Sequence, residues 1–185
     1  MSTLRAPDPP LFDEHVVLRP LAEEHVPAVE RALADLEVQR WFDDRGMTAR
    51  AVVERAAERW AASEAAEFAI IDEAECVGSI WLNLGLENRA GVGYWLLAHA
   101  RGKGLATSAL LLVARWAFDV LGVRRIGLNA DPRNVASVRV AERVGFTREG
   151  LLRSWADVNG ERVDQVSFSL LPSDLPAVAA SESRG

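Results

Sequence analysis

The chain carries one cysteine, Cys76, so no disulfide can form within it, and a reducing compartment fits best. Cys76 lies in an apolar, strand-like run and reads as a buried thiol rather than a reactive one. Basic charge is in deficit: 21 Lys and Arg stand against 27 Asp and Glu, for a net charge of −6. That excludes bulk binding to nucleic acid, which favours a basic face, and is compatible with a cationic substrate. No apolar run approaches the ~20 residues a membrane span needs. The opening MSTLRAPDPP lacks a signal-peptide core. No membrane partner is expected, and the chain reads as a cytoplasmic protein. The histidines, His15, His25 and His99, are scattered, with no HxxxH or HxH spacing, so no metal is expected. Low-complexity tracts, internal repeats and linkers are also lacking.

What is there is a single core. The hydrophobic fraction is 49% over 185 residues, enough for one domain of ordinary size. Residues 1–14 are Pro-rich and expected to be mobile, 15–172 to form one domain, and 173–185 to fray. Strands are predicted over 15–20, 67–71, 77–84, 90–98 and 124–130, with two more around the turn DVNG. Helices are predicted over 22–34, 49–65, 104–121 and 134–144, the last with Asn134 as a cap and Gly145 just past its end. LEVQRWFDDRGMT, between the first two helices, reads as irregular. The helix at 104–121 is apolar apart from a stripe of Ser108, Arg115 and Asp119. It joins the strands at 90–98 and 124–130, which should therefore run parallel through a right-handed crossover. The fold class is a mixed α/β sheet, mostly antiparallel, with helices on both faces.

One stretch, ARGKGLATSAL (100–110), sits between a strand and the start of that helix. The first N–H groups of a helix lack internal partners, and the helix dipole adds partial positive charge. Gly102 and Gly104 leave the backbone open to close approach, and Arg101 and Lys103 add formal charge. Together they suit a phosphate or pyrophosphate. A P-loop fits poorly, because Leu97 stands at its first glycine. A dinucleotide fingerprint fits poorly too, with Thr107 at its third glycine and an antiparallel context.

R101-G-K-G104-L-A106 resembles the [QR]-x-x-G-x-[GA] motif of the GNAT acetyltransferases. VVLRPL, GYWL, N134-V-A-S137, E142-R-V-G-F146, E149-G-x-L-R153 and VDQVSFSLL extend the resemblance in order over most of the chain. The set is similar to the branch that acetylates ribosomal-protein N-termini, the RimJ/RimL-like type. The resemblance implies a GNAT fold, in which the parallel strand pair splays into a V, and acetyl-CoA as acyl donor. It implies that the backbone of Tyr94, Trp95 and Leu96 contacts the pantetheine arm, with the Leu96 amide as oxyanion donor. It also implies that Arg101, Gly102, Lys103, Gly104, Leu105, Ala106 and Thr107 hold the pyrophosphate, and that Asn134 bonds the arm. Homodimers are common in that branch.

Two usual acid/base residues are missing. The strand position where many relatives carry Glu is Asn129, and the helix position where many carry Tyr is Ala141. In the ribosomal-protein branch a serine replaces the Tyr as proton donor to the thiolate, and Ser137 matches it. Glu87, Asp131 and Asp164 are unranked candidates for a base acting through water. Without a dedicated base, an α-amine suits the enzyme better than a lysine, because only about 0.1% of a free ε-amine is neutral near pH 7.4. Substrate groups are expected in the irregular segments. Trp41, Phe42, Asp43 and Asp44 form one set, and Trp155, Asp157 and Asn159 another, an aromatic and acidic lining suited to a cation. The acceptor is a peptide N-terminus or a small amine. A silent acyl-CoA-binding module and an acetyltransferase of small-molecule or antibiotic amines are the alternatives.

Overall fold

Apolar residues run almost unbroken through Ala65–Asp72 (β3) and the middle of Glu75–Leu84 (β4), and with Arg89–Leu96 (β5) these strands form the expected antiparallel meander. The computed structural model describes residues 4–41, 46–158 and 160–175. Ahead of the meander lie Leu11–Phe12 (β1) and Val17–Pro20 (β2), followed by three helices: Val26–Ala34 (α1), Leu36–Trp41 (α2) and Ala49–Ala61 (α3). After it come Leu105–Asp119 (α4), Arg125–Ala130 (β6), Val135–Val144 (α5), Thr147–Val158 (β7) and Glu161–Leu170 (β8). The strands form one sheet in the order β1-β2-β3-β4-β5-β6-β8-β7. Neighbours are antiparallel except β5 and β6, which run parallel through the α4 crossover.

Helices cover both faces because both faces are apolar. On one, α4 and α5 pack over Phe68, Ile80, Leu82, Leu128 and Phe168. Leu110, Val113, Ala114 and Ala117 of α4 are fully buried there, and Ser108, expected on a polar stripe, is buried with them. Each fully buried Leu or Phe contributes roughly 1.5–3 kcal/mol of transfer free energy. On the other face, Val29 of α1 and Val53 and Ala56 of α3 pack on Leu21 and Ala69. Trp60, Phe68 and Trp116 join α3, β3 and α4 through ring contacts of 5.1–6.4 Å.

Two segments differ from expectation. Residues 36–41 are helical rather than irregular: Asp35 accepts the Glu37 N–H through Oδ1 (2.9 Å) and the Gln39 N–H through its carbonyl (3.0 Å), which starts α2. A six-residue helix is too short to show a period in sequence. The N-terminal segment, expected to be mobile, is anchored at two points. Leu4 is buried in the core with its N–H on Ser63 Oγ (2.9 Å), and β1 pairs with β2. Among the described residues, no helix is long and apolar enough to cross a membrane.

Candidate active site

The cleft begins where two strands part. β5 and β6 pair only at Arg89–Arg125, Ala90–Ile126 and Gly91–Gly127. Past that point β5 stays with β4 as far as Leu96, and β6 stays with β8 as far as Ala130, so the V opens between them. Leu97 N–H donates to Val77 O at 2.8 Å, and strand alternation therefore turns the Leu96 N–H away from β4, into the gap. Trp81 of β4 packs across Gly93 of β5, where a Cβ would clash with the indole.

At the foot of the V stands the start of α4. Its first internal bonds run from Thr107 and Ser108 N–H to Gly104 O (2.9 and 3.1 Å), which leaves the earlier amides outside the helical ladder. Gly104 has φ +85° and supplies no side-chain cap, and a Cβ built there would meet nothing within 4 Å. A cleft of about 370 Å³ opens on this start, lined by Tyr94, Trp95, Leu96, Gly102, Gly104, Leu105, Ala106 and Thr107 from one side and by Asn134 and Ser137 from the other. At Gly102 and Gly104 an anion could approach the backbone amides with no side chain of the loop in the way, which fits a pyrophosphate.

The basic side chains of the loop are placed otherwise than expected. Arg101 lines the cleft, but its Nη2 lies 2.5 Å from Asp35 Oδ2 and its Nε donates to Leu96 O at 3.0 Å. Lys103 lies 3.8 Å from Asp72 and does not line the cleft. Both charges are drawn to carboxylates, because elements distant in sequence bring Asp35 and Asp72 beside them. Positive charge reaches the cleft instead from Arg139 and Arg143 of α5, which sequence reasoning missed. Their spacing of one helical turn was the available signal.

On α5, Asn134 Oδ1 accepts the Ser137 N–H (3.0 Å), so its side chain serves as the cap. Ser137 Oγ lies 3.1 Å from Tyr94 Oη. Burial pushes the Tyr94 phenol up to about 12, and the bond to Ser137 opposes this.

Next to Ser137 the V narrows into a cavity of about 70 Å³, lined among others by Trp41, Asn129, Asp131 and Gln165. A further cavity of about 200 Å³, lined by Arg40, Arg133 and Glu161, shares Asp131, Val158 and Val163 with it. Trp41 also lines the large cleft, where its Nε1 donates to Glu37 (2.9 Å) and Arg40 lies 4.9 Å from its ring centroid. Of the three base candidates, Asp131 alone lines these cavities. The hydrogen bonds of Arg133 hold its carboxyl below the usual range, which makes it a weak base. Glu87 pairs with Arg89 at the far end of β5, and Asp164 accepts the Ser154 N–H. Trp155 is exposed on β7 and is not among the lining residues, nor is Asp157, which accepts the Gly160 N–H. Phe42, Asp43, Asp44 and Asn159 lie outside the described residues.

Comparison with known proteins agrees with this geometry. Residues 15–147 match the acetyltransferase (GNAT) domain. The chain is 29% identical over 169 residues to the uncharacterized N-acetyltransferase p20 of Bacillus licheniformis, covering 87% of this chain and 95% of that one. Over 90 residues it is 40% identical to YdaF of Bacillus subtilis, named as a candidate ribosomal N-acetyltransferase, covering 48% of this chain and 49% of that one. Among solved structures, Mycobacterium smegmatis RimJ in complex with CoA-disulfide matches with a TM-score of 0.80 at 27% identity, covering 87% of this chain and 84% of that one.

Proposed function

The chain belongs to the GNAT acetyltransferase family, and from that premise we propose that it transfers an acetyl group from acetyl-CoA directly to the α-amine of a peptide or protein N-terminus. One observation carries the reading: the V between β5 and β6 joins the uncapped start of α4 to Ser137 in a single cleft. The amides of residues 102–106, ahead of the first internal bond of α4, hold the pyrophosphate. The segment Tyr94–Trp95–Leu96 holds the pantetheine arm as a strand would, through the backbone groups of Tyr94 and Leu96 that alternation turns toward the gap, with Leu96 O already taken by Arg101. The Leu96 N–H stabilises the oxyanion as the amine attacks the thioester carbonyl. Ser137 then protonates the departing thiolate. Asn134 gives its Oδ1 to the cap, so any contact it makes with the arm uses its amide nitrogen. The acceptor enters past Trp41 through the cavity at Asn129 and Asp131. The match to RimJ and to YdaF supports a ribosomal-protein type of acceptor.

Among the described residues, the one base candidate that lines the site, Asp131, is weakened by Arg133, and that favours an acceptor already neutral. An α-amine, with an unperturbed pKa of about 7.7–8.0, supplies a large neutral fraction near neutral pH, and a lysine does not. Thiol release from acetyl-CoA should be measured against pH for two peptides whose N-terminal pKa values differ by about a unit. kcat/KM should rise and level off near each peptide's own pKa. An inflection shared by both peptides, and lost in Asp131→Asn, would show an enzyme base and overturn this account. No thiol release with any α-amine peptide would overturn the α-amine assignment.

A further inference from the structure

Tyr94 reaches the site through its side chain as well as its backbone. Its ring packs on the core beneath α4 and α5, and its hydroxyl lies 3.1 Å from Ser137 Oγ. The Ser137 N–H is already committed to Asn134, which fixes the residue at the first turn of α5. A serine oxygen has one proton to give and two lone pairs to receive with. If Ser137 donated to Tyr94, its proton would be turned from the cleft. If Tyr94 donates, one lone pair of Oγ is filled, and the serine proton is free to point elsewhere. Burial keeps the phenol protonated across the working range of pH, so it is always able to donate.

We propose that Tyr94 is a positioning residue for the transfer: its O–H donates to Ser137 Oγ and leaves the serine proton aimed at the thioester sulfur. This rests on the reading of Ser137 as the group that protonates the thiolate. In the step, the amine nitrogen forms the C–N bond and the carbonyl π pair moves to oxygen. On collapse the C=O reforms, the C–S bond breaks, and sulfur takes the bonding pair together with the Ser137 proton. Oγ recovers a proton from the nitrogen, which sheds it as the amide forms. Tyr94 keeps its own proton throughout, and its bond to Oγ strengthens as charge builds there. No further reactant is needed. The same arrangement explains how a site without a strong base completes the transfer: Ser137 receives at one lone pair what it gives to sulfur.

The test is a double-mutant cycle on the full chain with acetyl-CoA and an α-amine peptide. Tyr94→Phe should lower kcat about 10-fold or more, with KM for acetyl-CoA within about twofold. Ser137→Ala should lower kcat at least as much. The double variant should be no slower than Ser137→Ala, because Tyr94 acts only through that hydroxyl. Losses that multiply overturn the proposal. So does full activity in Tyr94→Phe beside a crippled Ser137→Ala, which leaves the reading of Ser137 intact. Full activity in Ser137→Ala overturns that reading, and the proposal with it. A second measurement leaves Tyr94 in place. Tyr94 is the chain's one tyrosine, so protein labelled with ¹³C at tyrosine Cζ gives a single ring signal in the complex with CoA. Ser137→Ala should move that signal, and an unmoved signal overturns the proposal.

Discussion

The two helices that flank the cleft begin in opposite ways. α4 begins at Gly104, left-handed and without a side-chain cap, so its first amides are bare. α5 begins at Asn134, whose side chain closes the first turn on the Ser137 N–H. A side-chain cap contributes about 1 kcal/mol, and α4 forgoes it. A helix start that is to hold an anion has to be left open, and the ligand then supplies the missing acceptor. A helix start that is to hold a reacting hydroxyl has to be closed, because an unfixed first turn would let Ser137 wander from its partner. On the proposed function, binding and chemistry are divided between two instances of one structural feature.

The largest effect should come from filling the open start. Gly104→Glu puts a carboxylate where the phosphates approach, and like charges in contact cost several kcal/mol. Forcing a side chain to φ +85° adds about 1 kcal/mol of strain. The affinity for CoA should fall by more than about 10²-fold by calorimetry. The fold should persist, since a Cβ there meets only open space. Undiminished binding would break the comparison at its first term. Gly104→Ala, with strain and no charge, should lose much less.

Ser137→Ala comes next and acts on the closed start. kcat should fall about 10²-fold with little change in KM for acetyl-CoA. Its melting temperature should fall only modestly, because the cap uses the Ser137 backbone N–H and is kept, while the buried Tyr94 hydroxyl loses its partner. A kcat within about twofold of the parent would make the closed start a structural feature alone.

The same contrast explains what could be read in the sequence. The bare start was legible in ARGKGLATSAL, because a glycine run between a strand and an apolar helix has a local cause and a local consequence. Apart from the short β1 and α2, the order of elements and the parallel pair were legible for the same reason: period and connection length are local. Asn134 at the mouth of α5 was legible as a cap. What could not be read were the pairings between distant parts. Asp35 is 66 residues from Arg101, and it takes the charge the loop was expected to offer. Tyr94 is 43 residues from Ser137, and the two hydroxyls meet only once α5 packs on α4 and β6. Trp155 was expected in an acceptor wall because aromatic and acidic residues crowd its stretch; it is exposed on β7, where the register against β8 shifts between Leu152 and Ala156, and that irregularity has no local signature.

Asn134→Ala should sharpen the second term by a smaller amount. Loss of the cap should cost about 1 kcal/mol, which for a chain of this size lowers Tm by roughly 2–4 °C. Asn134→Asp keeps a capping oxygen and should melt near the parent. If the amide nitrogen also serves the pantetheine arm, Asn134→Asp should bind acetyl-CoA more weakly at unchanged stability. Equal affinity in Asn134→Asp and the parent would confine Asn134 to the cap.

The smallest effect tests whether α5 also lends charge to the open start of α4. Arg139 and Arg143 line the cleft that Gly102 and Gly104 enter, while Arg101 and Lys103 lean on Asp35 and Asp72. Both α5 arginines are exposed, so solvent screens them. An exposed ion pair is worth about 0.2–1 kcal/mol, and Arg139→Ala should accordingly weaken CoA by only about 2–5-fold. That loss should shrink as salt is raised, because the screening length falls from about 10 Å at 0.1 M to about 3 Å at 1 M. It should vanish for acetyl-pantetheine, which has the thioester and the arm but no phosphate. Arg139→Lys keeps the charge and should recover most of the affinity. Arg101→Ala makes the contrast within the same cleft. It removes the partner of a half-buried Asp35 and the donor on Leu96 O, so its loss should appear chiefly in Tm. Equal weakening of CoA and acetyl-pantetheine by Arg139→Ala, insensitive to salt, would mean that α5 packs on the ligand rather than charging the site, and the open start of α4 would then hold its anion by amides alone.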